Sequence, residues 1–134
     1  ASMLVVTVGA DRLGRRRSLV ALGLLGAAGT GGFAMGSDAA LLAEFRSRDW
    51  MWLAIAPEGT RGHTDHWKAG FYQIALAADV PVALAYIDYA TKTVGIDTYL
   101  RMTGDREADL GRIRAFYASK RGRRPEFAGE IRLK

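Results

Sequence analysis

Short aliphatic runs alternate along the chain with longer runs whose apolar residues recur at helical spacing, and this alternation is the tightest constraint on the fold. It is the pattern of an α/β layered domain. Leu4–Val8, Gly32–Met35, Trp52–Ala56, Pro81–Ile87 and Lys92–Ile96 read as strands. Ser18–Ala28, Asp38–Arg48, Ala69–Ala78 and Asp105–Lys120 read as helices. Three of those helices carry an apolar stripe: Leu41, Leu42 and Phe45 in one, Phe71, Ile74, Ala75 and Ala78 in the next, Leu110, Ile113, Phe116 and Tyr117 in the last. Each stripe reads as core. With no internal repeat and no linker, the expectation is one α/β domain over residues 1–134, built on a mostly parallel central sheet flanked by helices. Ala1-Ser2 ahead of Met3 reads as a cloning remnant.

A chain of 134 residues with 49% apolar content is long enough to bury a core. It has no cysteine, which removes disulfides, a thiol nucleophile and Cys-based zinc sites from consideration. The net charge of +5 is concentrated at both ends of the chain and suits an anionic partner. Phospholipid headgroups, acyl-carrier phosphates and nucleic acid all qualify on charge alone. Arg15-Arg16-Arg17 before Ser18–Ala28 has the outline of a secretory signal. The apolar part is too short to span a bilayer, and a strand-like start precedes it, so a buried or interfacial helix is the expectation. Gly29-Thr30-Gly31-Gly32 lacks the Lys-Ser or Lys-Thr of a phosphate-cradling P-loop and reads as a turn.

From Pro57 to Trp67 the chain is polar and aperiodic, so it should be a loop leaving the end of a buried strand, where α/β proteins commonly place chemistry. The loop opens with Pro57-Glu58-Gly59-Thr60-Arg61 and leads into Trp67-Lys68-Ala69-Gly70-Phe71, with Val80-Pro81-Val82 beyond the next helix. These three segments resemble the Pro-Glu-Gly-Thr-Arg signature, the aromatic-Lys-x-Gly helix start and the Val-Pro strand start of the glycerol-3-phosphate and lysophosphatidate acyltransferase family, over roughly residues 50–100.

The chemistry of the loop suits an anionic headgroup. Gly59 permits a tight turn, and Arg61 offers a planar fork of donors for phosphate. Thr60 is a short hydrogen-bonding partner, and Lys68 adds a second cation. Glu58 can accept from a substrate hydroxyl or hold the loop and Arg61; the plain alternative is that Glu58 and Arg61 pair across a turn. The resemblance implies that Glu58, Gly59, Thr60 and Arg61 bind the glycerol phosphate, and Lys68 joins them as a substrate-binding candidate by its charge. It implies acyl-CoA or acyl-carrier protein as co-substrate, with no metal and no cofactor.

Acyl transfer to an alcohol needs a general base, which the family supplies as His-x₄-Asp. Five positions after His63 and His66 stand Lys68 and Phe71, so neither histidine fits. The chain is therefore expected to lack the family's N-terminal elements along with that pair, and to self-associate over the apolar surface so exposed. The family's second phosphate-binding segment would fall near Gly31–Ser37, without its arginine. Within His63-Thr64-Asp65-His66, His63 or His66 with Asp65 can be read as a substitute base, as metal ligands, or as ordinary loop residues.

Lys120-Arg121-Gly122-Arg123-Arg124 closes the last helix. It suits peripheral attachment to an anionic membrane surface, and equally a solvated helix end whose cations complement the dipole. Three functions follow in order: a phospholipid-biosynthesis acyltransferase at the cytoplasmic side of a membrane, a non-catalytic lipid-phosphate binding module, and a basic nucleic-acid binding protein.

Overall fold

The computed structural model describes residues 5–11, 38–48, 50–59 and 63–134. The helix expected at Ser18–Ala28, the strand expected at Gly32–Met35, and Thr60 and Arg61 lie outside the described residues. The elements run β1 (Val5–Asp11), α1 (Asp38–Ser47), β2 (Trp50–Ile55), α2 (Gly70–Ala78), β3 (Val82–Asp88), β4 (Thr93–Leu100) and α3 (Arg106–Tyr117), followed by a 3₁₀ turn at Pro125–Phe127. The described strands form one sheet in the order β2-β1-β3-β4.

The chain is a mixed α/β structure, but the expected mostly parallel sheet is not what forms among the described strands. All three pairings are antiparallel: Val8 lies opposite Leu53 of β2 and Val82 of β3, and Ile87 opposite Val94 of β4. Two physical reasons account for the difference. Only Tyr89–Lys92 joins β3 to β4, far fewer than the dozen or so residues that a parallel crossover needs. The unit β2-α2-β3 does return the chain in its original direction, as a crossover should, but β1 sits between its two strands and runs against both.

The β3–β4 turn is held by the carboxylate of Asp88, which is buried. Its oxygens accept from Ala90 N at 3.0 Å, Thr91 Oγ1 at 2.9 Å and Arg121 N at 3.3 Å. The Thr91 hydrogen bond, with those backbone donors, holds its pKa below the usual carboxylate value in spite of burial. Lys92 completes the turn in the left-handed region at φ 55°.

Helices α2 and α3 bury the predicted stripes. Phe71, Ile74 and Ala75 of α2 meet Leu110 and Ile113 of α3 over Val82 and Leu84 of β3, with Leu53 and Ile55 of β2 packed at the margin. Tyr72 also points inward, where its hydroxyl donates to Asp109 at 2.9 Å. Asp109 has no exposed surface. It accepts further from Thr103 N at 2.8 Å, Thr103 Oγ1 at 3.0 Å and Gly104 N at 3.3 Å, and pairs with Arg112. Burial raises its pKa, but the hydrogen bonds outweigh that and leave it below the ordinary value.

Because five groups converge on it, Asp109→Ala should cost about 3 kcal/mol by leaving them without an acceptor. A depressed carboxylate stabilises above its unfolded value of 3.8, and the contribution fades as pH falls through the folded value. Urea unfolding at pH 7 and below pH 4 should show the deficit of the variant, narrowing in acid.

Candidate acceptor loop and the segment that clamps it

Strand β2 ends at Ile55 and the chain turns at once, Gly59 N donating to Ala56 O at 3.0 Å. Pro57 at the second position of this turn and Gly59 at the fourth are the residues such a turn favours. Gly59 adopts φ +66°, a left-handed conformation that glycine takes without strain. The chain comes back when Lys68 N donates to Pro57 O at 2.8 Å. That return lays the Lys68 side chain over Gly59: a methyl group placed on Gly59 would lie 2.8 Å from Lys68 Cε and 3.0 Å from Nζ. Three of the predicted headgroup residues, Glu58, Gly59 and Lys68, are therefore brought together.

Glu58 faces a segment far along the chain. Its side chain is buried, and the backbone N–H of Gly129 lies near enough to its carboxylate to act on its pKa. Burial pushes its pKa above the usual value, opposed by that N–H. Residues 129–134 run back across the loop. Gly129 passes so near that a methyl group there would collide with the carbonyl oxygen of Thr64. Trp67 N donates to Arg132 O at 2.7 Å, and Lys134 N to Trp67 O at 3.2 Å, making a parallel bridge between Trp67 and Leu133. Arg114 Nε, from α3, donates to Ile131 O at 2.9 Å and ties the same segment to the helical layer.

The two histidines separate. His63 is exposed. His66 is half-buried, with Nδ1 2.6 Å from Asp65 Oδ1. The pKa of Asp65 is lowered, first by that hydrogen bond. Arg132 holds the same aspartate, Nη2 to Oδ2 at 3.1 Å and Nε to the Asp65 carbonyl at 2.9 Å. Asp65, His66, Arg132, Leu133 and Lys134 line a depression of about 260 Å³. Among the described residues no three acidic, histidine or cysteine side chains gather as metal ligands.

Sequence reasoning missed Arg132, and no local signal could have found it, since its partner lies 67 positions away. In the basic C-terminal run, Lys120 Nζ sits 4.1 Å over the Tyr86 ring, while Arg121, Arg123 and Arg124 are exposed. Phe116 and Tyr117 pack edge to face on one another, and the Tyr117 hydroxyl donates to Ala85 O at 2.7 Å. These rings serve the core. Among the described residues no helix is long and apolar enough to cross a membrane.

The raised pKa of Glu58 has a testable sign. Its contribution to stability is present below the unfolded value of 4.5 and is lost as pH rises through the folded value. Glu58→Gln keeps an acceptor for Gly129 and abolishes the titration. Relative to the parent chain, the variant should gain stability as pH rises from 4.5 toward neutrality in urea unfolding. A pH-independent difference would contradict the assignment.

No family model matches the chain, and comparisons with curated proteins and with solved structures return no match.

Proposed function

We propose that the chain binds the phosphate of a glycerophosphate or lysophosphatidate, as the acceptor side of a glycerolipid acyltransferase-type domain. Acyl-CoA or acyl-carrier protein is the co-substrate, and no cofactor is required. The observation that carries this reading is Lys68 folded over the left-handed turn at Gly59. The exposed Lys68 side chain puts a point charge beside the turn at Gly59, which stands two residues before Arg61 in the sequence. Arg121, Arg123 and Arg124, all exposed, suit attachment to an anionic membrane surface in this reading.

The non-catalytic binding module shares the same loop, and thioester cleavage separates the two. The nucleic-acid reading has less support, because Phe116 and Tyr117, the aromatics that precede the basic run on α3, are packed against the core.

Calorimetric titration with glycerol 3-phosphate and a short-chain lysophosphatidate tests the proposal. Lys68→Ala and Arg61→Ala should each weaken binding about tenfold, or about 1.4 kcal/mol. Equal binding of an uncharged monoacylglycerol, or no response to either substitution, would refute it.

Self-association belongs to the same proposal and is assigned to β4, which lies at the edge of the sheet among the described strands and where Val94 is 73% exposed. Sedimentation velocity should show association that Val94→Lys abolishes.

A further inference from the structure

The depression beside the loop is lined by a relay of side chains as well as by cations. Arg132 grips Asp65 at two points, its carbonyl oxygen and Oδ2. The remaining carboxylate oxygen, Oδ1, faces His66 Nδ1 at 2.6 Å. An ionised carboxylate only accepts, so Nδ1 of the neutral ring must carry the proton, and Nε2 is left with a lone pair. That is the less common tautomer of a free imidazole, imposed here by a partner that is itself held from a distant part of the chain. Orientation of an imidazole by a carboxylate is the arrangement a general base requires.

We propose that His66 is a general base for a phosphorylated alcohol bound in this depression, oriented by Asp65, and that Arg132 is the positioning residue that holds Asp65 in place. Lys134 on the wall adds positive charge, while the Arg132 guanidinium is taken up by Asp65 and Glu130. The identity of the alcohol rests on the acceptor-binding reading above. In the step, the hydroxyl oxygen attacks the carbonyl carbon of an acyl thioester while Nε2 takes the hydroxyl proton. The carbon–sulfur bond then breaks, and the departing thiolate takes that proton back from Nε2. An ester and a free thiol are the products, and His66 is regenerated.

Two readouts on the intact chain test this. In long-range ¹H–¹⁵N spectra of histidine-labelled protein above the imidazole pKa, His66 should show a protonated Nδ1 and an unprotonated Nε2, with exposed His63 as the ordinary reference. Arg132→Gln should erase that preference at His66 alone, and Arg132→Lys should restore part of it. A His66 with Nε2 protonated in the parent chain, or one indifferent to Arg132→Gln, overturns the relay.

The second readout is release of free thiol from acyl-CoA with lysophosphatidate present. His66→Gln should lower it about 100-fold or more. Arg132→Gln should lower kcat about tenfold with little change in KM, and Arg132→Lys should recover part of the loss. No thiol release from a parent chain that binds lysophosphatidate overturns the catalytic assignment while leaving headgroup binding standing. No lysophosphatidate binding at all defeats the acceptor reading instead.

Discussion

Trp67 is held at once by its backbone and by its ring. Its N–H and C=O are both paired with residues 132 and 134, and its ring, 1% exposed, stands edge-on to Phe71 and Tyr117. The loop after β2, the start of α2, the far end of α3 and the segment beyond it therefore meet at one residue. Removing water from so large a ring supplies a strong non-directional attraction, while the two backbone hydrogen bonds fix direction and register. The arrangement carries a cost, because the indole N–H is buried without a hydrogen-bond partner among the described residues. A strained or underpaired group is tolerated where the surroundings determine its place, and here they determine the place of Asp65, His66 and Lys68 on either side of it.

What could be read from the sequence was local. Phe71, Ile74 and Ala75, and Leu110 and Ile113, repeat at helical spacing and are buried as that spacing implies. The strands β1 to β4 fall within a few residues of the aliphatic runs that announced them. Strand direction was not legible, because alternation of strands and helices records how often the chain reverses and not which strands become neighbours. The insertion of β1 between β2 and β3 is a property of the whole sheet.

The polar network divides in the same way. Asp109 left a trace, since an acidic residue four before Ile113 and seven before Phe116 interrupts an otherwise apolar face. The trace did not reveal that Tyr72 and Thr103 would converge on it. In the loop, Gly59 and Lys68 could be nominated because the motif and the turn chemistry are contiguous. The partners of Glu58 and Asp65 could not, for they come from residues 129 and 132, where nothing in the local pattern distinguishes one glycine or arginine from another.

That long reach also sets an order of events during biosynthesis. Asp65 and Arg132 are separated by 67 positions, which at ordinary rates of chain elongation is roughly 3 to 13 seconds of synthesis. Throughout that interval the loop has been made and its clamp has not. The helix α2 and the hairpin of β3 and β4 rest on near neighbours in sequence and can form while the loop waits. A nascent chain therefore carries the loop before it carries the clamp, and a ribosome that pauses just short of residue 129 would hold a chain whose loop is made and whose clamp is not.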